Sequence, residues 1–176
     1  QKVLGLDIFN STMRGIITKN GRFLCDKVIV CTGGKSYPST GSDGDGYRFA
    51  AEAGHAVVQP VPSLCGVNLT GDYFKAMQGL SLRNVGLKIY VKGKCIRDLF
   101  GEMQFTHFGA SGPLILTASA LINRQSPSDV KLCLDFKPAL DEAQLDARLL
   151  RDFSEHKNSD ISNCLKALLP SSAMLP

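Results

Sequence analysis

The run Val28-Ile29-Val30-Cys31-Thr32-Gly33-Gly34-Lys35-Ser36-Tyr37-Pro38 opens with four apolar residues, three of them β-branched, and ends abruptly in two glycines. It fits a strand buried on both faces better than a helix, with the sheet ending at Gly33. Paired glycines there permit positive φ and let backbone N–H groups approach a ligand that side chains would exclude. In open α/β sheets, that carboxyl edge is where nucleotides bind. Gly34-Lys35-Ser36 also copies the tail of a phosphate-binding P-loop. However, Ile29 stands where that motif needs its first glycine, and Pro38 keeps Tyr37 out of the α region where a helix must open.

Working outward, Ser39-Thr40-Gly41-Ser42-Asp43-Gly44-Asp45-Gly46 feeds the helical run Tyr47 to Ala53. Ser42 or Asp43 suits the N-cap, Tyr47 and Ala50/Ala51 share one face, and Gly54 suits C′. Free amides at that amino end would favour an anion such as pyrophosphate. The glycine order G-x-x-G-x-G reverses the dinucleotide fingerprint, so the loop reads equally as an acidic turn. Upstream, Gly15 to Thr18 and Phe23 to Cys25 flank Asn20-Gly21, a type I′ hairpin signal.

These residues resemble a known family. Thr32-Gly33-Gly34-Lys35-Ser36-Tyr37-Pro38, Thr40-Gly41-Ser42, Gly44-Asp45-Gly46-Tyr47 and Gly54-His55 are similar to the NAD(P)/FAD-dependent oxidoreductases that include aminoacetone oxidase and 3-dehydro-bile-acid reductase. A second block, Gly101-Glu102-Met103-Gln104-Phe105-Thr106-His107-Phe108-Gly109-Ala110-Ser111-Gly112-Pro113, resembles that family's G-E-x-x-F-T-H-x-G-x-S-G-P segment. The resemblance implies a flavoprotein with a Rossmann-like FAD-binding domain, NAD(P)H as reductant and a small-molecule substrate. It further implies that the hairpin ends a β-meander inserted in the flavin domain. Thr32, Gly33, Gly34, Gly41, Asp45 and Gly46 would line the cofactor, and Thr106 and His107 the substrate cavity. The strand–G-x-G-x-x-G–helix unit that opens such a domain has no counterpart here, and the chain opens on Gln1-Lys2-Val3, so it reads as the middle portion of a longer protein.

The expected fold is therefore mixed α and β in several parts. Residues 1–58 form part of the FAD-binding domain, 59–136 an inserted β-rich barrel or sandwich, and 137–176 a helical segment. Pro60 and Pro62 mark the first crossing. Strand candidates then run over Ser63 to Leu69, Leu80 to Val91, Lys94 to Leu99, Glu102 to Phe105 and Val130 to Phe136. In the clearest, Val85 to Val91, apolar residues alternate. A helix starts at Pro113 with Leu114, Thr117/Ala118 and Leu121 on its buried face. After Pro138, Asp141-x-x-Gln144 predicts a capping box, with Leu145, Leu149 and Phe153 repeating along the helix. A second helix spans about Ile161 to Leu169, and Ser171-Ser172 suits the cap of a third.

Composition bounds the chemistry. Among 176 residues the excess of Lys and Arg over Asp and Glu is 20 to 16, a net +4 too mild and scattered to argue for nucleic acid. Six cysteines lack any C-x-x-C pair and read as buried, reduced thiols of a cytoplasmic protein. No apolar run reaches the ~20 residues of a membrane span. His107 sits inside a motif and its pKa range suits proton transfer; a turn-pinning role is the simpler alternative. His55 reads as a helix-end residue and His156 as solvated. Ser111 lacks a nucleophile elbow and suits a helix cap instead. Metal ligation has no support, because the histidines are far apart and Asp43/Asp45 lack the other ligands of a calcium loop. The rival reading is a non-redox module that binds a phosphate or another protein. Oligomeric state is not legible.

Overall fold

The computed structural model describes residues 1–157 and 159–174. They divide into two compact units, Gln1–Pro60 and Val61–Pro176.

The first unit is an antiparallel meander of β1 (Val3–Phe9), β2 (Thr12–Thr18) and β3 (Gly21–Leu24), followed by helix α1 (Asp45–Glu52). Asn10 and Ser11 join β1 to β2 with φ of 51° and 59°, the two positive values that a type I′ turn demands. The second turn holds Lys19-Asn20, one residue earlier than Asn20-Gly21 suggests. The Thr18 hydroxyl fixes it, accepting from Asn20 N–H at 3.2 Å and donating to Gly21 O at 3.1 Å. Helix α1 covers the outer edge of β1. Arg48 donates to Leu4 O at 2.8 Å, and Leu6 N–H donates to Glu52 at 3.1 Å, so two groups of an unpaired strand edge are satisfied. Gly54, at φ +85°, ends α1 with a Schellman pair in which Gly54 N–H reaches Ala51 O and His55 N–H reaches Ala50 O.

Several expectations fail in this unit. Val28 to Cys31 is not a strand, and Ile29 is 88% exposed. A strand needs neighbours to take its N–H and C=O groups, and among the described residues the backbone of 28–33 finds none. The N-cap of α1 is Gly44 at φ +91°, not Ser42 or Asp43. The buried residue of α1 is Phe49, while Tyr47 and Ala51 face solvent.

The second unit is built on a five-stranded antiparallel sheet in the order β4-β7-β6-β5-β8, with β4 at Val67–Asn68, β5 at Ser81–Val91, β6 at Lys94–Thr106, β7 at Gly109–Ser111 and β8 at Val130–Asp135. The alternation read from Val85 to Val91 is real: Val85, Leu87 and Ile89 are 2% exposed or less, and Lys88 faces water. Helix α2 (Tyr73–Ala76) and helix α3 (Pro113–Ile122) add Phe74, Leu114, Ile115 and Ala118 to this core. Thr117 turns outward and bonds Pro113 O, so Ile115 and Ser119 complete the buried face of α3 instead. The N-cap is Gly112 at φ +95°, because Ser111 remains in β7 paired with Gln104.

Three strand boundaries move. β4 is only two residues because the Cys65 amide is taken by Ser119 Oγ at 3.0 Å and Leu64 adopts φ +52°. β6 runs unbroken through Gly101, over which Leu114 packs at 3.6 Å from the position of a Cβ. The interruption falls instead on β5, where Asn84 has φ +56° within a register shift between Leu82 and Val85.

Beyond the sheet, α4 (Glu142–Glu155) carries the Asp141–Gln144 capping box in both directions. Leu145 and Leu149 are half-buried and Phe153 is exposed. Helix α5 (Ile161–Cys164) is shorter than the Ile161 to Leu169 expectation and tightens into a 3-10 turn at Leu165–Ala167. Its buried residues are Cys164 and Leu168, not Ile161. Ser171–Ala173 forms a single 3-10 turn. Any continuation into residues 175–176 lies outside the described residues. The cysteines are free, but only Cys164 is buried, and Cys31 and Cys95 are exposed. Among the described residues no helix is long and apolar enough to cross a membrane.

Candidate functional site

Two places gather the residues singled out by the sequence, one in each unit. In the first unit, Thr32-Gly33-Gly34 folds back on the loop that leads into α1. Gly34 O accepts from Gly44 N–H at 3.1 Å. A Cβ on Gly46 would lie 2.7 Å from Thr32 Oγ1, and one on Gly33, whose φ is +70°, would lie 2.9 Å from Ser42 Oγ. At Gly33 the positive φ favours glycine, and at Gly46 a side chain would displace the Thr32 hydroxyl. Gly41 has a local explanation: at φ +97° it closes the 3-10 turn Pro38–Thr40, with nothing within 4 Å of its missing Cβ.

The electrostatics of this loop differ from a phosphate cradle. Asp45 N–H donates to Asp43 at 3.2 Å. Lys2 bridges Asp43 and Asp45 at 2.8 and 3.1 Å, and Arg48 donates to Asp45 at 3.0 Å. The Lys2 ammonium hydrogen-bonded to Asp43 and the Arg48 guanidinium on Asp45 hold both carboxyls below their ordinary values. Lys2 and Arg48 compensate the two carboxylates, and of the amides that open α1 Asp45 N–H is taken by Asp43 and Tyr47 N–H by Gly44 O, so this end does not present the row of free amides expected for a pyrophosphate.

In this loop Thr32 Oγ1 is buried and makes no hydrogen bond among the described residues. A buried hydroxyl left unpaired costs free energy. The oxygen, bare Gly33 and Gly34 and absent Gly46 side chain fit a neutral, hydrogen-bonding part of a cofactor.

In the second unit, the Thr106–Gly109 pair closes a two-residue turn made of His107 and Phe108. His107 is exposed at the tip, and its imidazole makes no hydrogen bond among the described residues, so no backbone bond pins it. Its ring meets Phe108 edge-to-face with centroids 5.0 Å apart. Thr106 Oγ1 is buried and unpaired. Gly109, at φ +149°, has no room for a Cβ, which would fall 2.3 Å from Val67 O. Beneath this hairpin, an apolar cavity of about 390 Å³ is lined by Leu87, Met103, Phe105, Ala110, Leu132 and Leu134 among others. Sequence reasoning placed all of these but Ala110 in strands and missed the cavity. The signal available was the in-facing alternation of Met103 and Phe105 within the motif, on either side of exposed Gln104. His55 and His156 are exposed and stand apart from both places, the latter as C-cap of α4.

Residues 61–176, which comprise this sheet, hairpin and helices, match the family described as HI0933-like protein barrel and H2TH domain. The chain belongs to the HI0933-like family. The barrel of that description is here the open five-stranded antiparallel sheet, and its helical part corresponds to the region after Pro138. The chain is similar to the 3-dehydro-bile acid delta(4,6)-reductase of Clostridium scindens, 30% identical over 126 residues that cover 70% of this chain and 31% of the relative. A ribosomal RNA dihydrouridine synthase of Haemophilus influenzae is 33% identical over 97 residues, covering 54% and 23%. That of Escherichia coli is 27% identical over 147 residues, covering 83% and 34%. The chain thus spans about a third or less of the length of these relatives.

Proposed function

We propose that this chain is part of an FAD-dependent oxidoreductase that reduces a carbon–carbon double bond conjugated to a carbonyl in a small-molecule substrate. The observation that carries the reading is the G-E-x-x-F-T-H-x-G-x-S-G-P segment folded as a hairpin that presents His107 at an exposed tip. The relatives support it, since a delta(4,6)-reductase and a dihydrouridine synthase both add hydrogen across such a bond. On this reading residues 1–58 are part of a Rossmann-like FAD-binding domain, 59–136 the inserted β-rich domain and 137–176 the helical segment.

Bound FAD, kept reduced by NAD(P)H, would supply the hydride chemistry, and this chain's residues would position and protonate the acceptor. The carbon neighbouring the one that receives hydride must take a proton, and His107, whose type suits proton transfer, is the donor we assign to it. Thr106, next to His107 in the motif, is assigned with it to the substrate side. Thr32, Gly33, Gly34, Gly41, Asp45 and Gly46 belong to the flavin side, with Thr32 Oγ1 as the donor that a ligand would satisfy. The occupation of the first α1 amides by Asp43 and Gly44 O counts against the rival phosphate-binding module. Six free thiols suit a cytoplasmic setting.

The test is His107→Gln in the intact protein, with an enone and uridine-containing RNA as alternative acceptors. Reduction of the flavin by NAD(P)H should be unchanged, while turnover to the acceptor falls by about 10²- to 10⁴-fold, the usual size of a lost general acid. Undiminished turnover would remove His107 from the chemistry. Turnover with RNA alone would overturn the small-molecule assignment.

A further inference from the structure

We propose that Phe108 is a positioning residue for His107, seated in a notch that only glycine at position 66 leaves open. This rests on the reading of His107 as proton donor. The His107 and Phe108 planes stand at 89° with centroids 5.0 Å apart, the edge-to-face geometry that aromatic pairs favour. The far side of Phe108 is held as well. A Cβ on Gly66 would come within 2.7 and 2.9 Å of two Phe108 ring atoms, closer than any real side chain can stand. The backbone is held separately, with Leu69 N–H donating to Phe108 O at 3.3 Å.

The tip is thus anchored through Phe108 and Gly109, while the His107 imidazole has no hydrogen bond of its own among the described residues. The ring contact is what selects its rotamer. Phe108 also occupies the position that the G-E-x-x-F-T-H-x-G-x-S-G-P pattern leaves free, so replacing it leaves the pattern whole.

The experiment is NMR of the intact protein carrying ¹³C-labelled histidine, with the His107 resonance assigned by its disappearance in His107→Gln. Phe108→Ala should reduce the population of the held His107 rotamer about two- to tenfold, the worth of one aromatic pair, and move its resonance toward that of a free histidine. Phe108→Tyr should preserve both. Gly66→Ala, which pushes the ring without altering either aromatic residue, should move the resonance in the same direction as Phe108→Ala. Phe108→Leu keeps apolar bulk without a ring and should lose the ring-dependent shift even if alanine unfolds the hairpin. An unchanged His107 resonance in Phe108→Leu, or a Phe108→Tyr spectrum as altered as that of Phe108→Leu, would overturn the inference. The NMR outcome does not depend on turnover, so failure of the proton-donor role in His107→Gln would be seen separately.

Discussion

Thr32 offers the sharpest test at the residue scale, because its buried hydroxyl has no partner. Thr32→Val keeps the shape and removes the oxygen. Without a ligand, the change should leave thermal stability equal or slightly raised, since an unpaired polar group is lost. With flavin present it should loosen cofactor retention, read as flavin released on gel filtration of the intact protein. Equal retention would show that the ligand does not use this oxygen. Gly112 is a different kind of position: φ is +95° and a Cβ would sit 2.9 Å from Met103 Cα. Gly112→Ala should therefore cost roughly 1–3 kcal/mol in chemical unfolding, the usual size of enforced backbone strain.

The charged cluster on the loop also carries a pH sign. Asp43 is held low by its hydrogen bond to Lys2, and Asp45 by Arg48 and then Lys2. Carboxyls depressed in the folded state contribute stability that is complete above their unfolded value of about 4 and is lost as pH falls through the lower folded value. Acid unfolding of the parent should therefore be more pH-dependent below about pH 4 than that of Lys2→Met. The difference should shrink in high salt because the groups are exposed. If the two acid profiles coincide at low salt, the ion pairs contribute nothing to folding.

Elements were legible where a local rule fixed them. Asp141 and Gln144 announce α4 because each side chain reaches the other's backbone N–H, a bond set by four consecutive residues. Asp141→Ala should cost about 0.5–2 kcal/mol of stability, measured as a lower denaturant midpoint with an unchanged slope. The alternation in β5 was equally plain. β1 went unread, although Leu4, Leu6 and Ile8 alternate ahead of Asn10-Ser11. That turn uses positive φ at two non-glycine residues, a sign too weak to see without the strands it joins. Val28 to Cys31 shows the reverse error: apolar and β-branched, it satisfies every local rule for a strand, yet strands are made by partners. Ser119 is a third case, since its hydroxyl reaches 54 positions back to shorten β4, a link no local pattern carries.

At the scale of the whole molecule, the two units differ in how much core they own. The second buries Val85, Leu87, Ile89, Met103, Phe105 and Ile115 in one cluster. Leu87→Ala there should cost about 2–5 kcal/mol. In the first unit, Phe49 is the one hydrophobic side chain among the described residues that is buried, while Leu24, Ile29 and Val58 are each more than three-quarters exposed. Family membership rests on the better-packed part, and the glycine-rich Thr32–Gly46 motif lies in the other. For the candidate site, the sequence supplied the residue types and their grouping. The pairing of the Gly46 gap with Thr32, the acidic occupation of the α1 start and the Gly66–Phe108 seat all needed coordinates, because each joins residues distant along the chain.

The sheet order β4-β7-β6-β5-β8 has a consequence in time. Its centre is a hairpin turned by Lys92 and Gly93 alone, with φ of 51° and 78°, so β5 and β6 meet across two residues. Both edges close long loops: Lys88 pairs with Cys133 and Val67 with Ala110. Short closures cost less entropy than long ones and form sooner. Pulse-labelled hydrogen exchange during refolding should protect Leu87 and Ile89 through the β6 ladder before the amides of β8 and β4. Assembly then runs outward from the centre, and the His107 tip, on the short β6–β7 return, is in place before either border strand arrives.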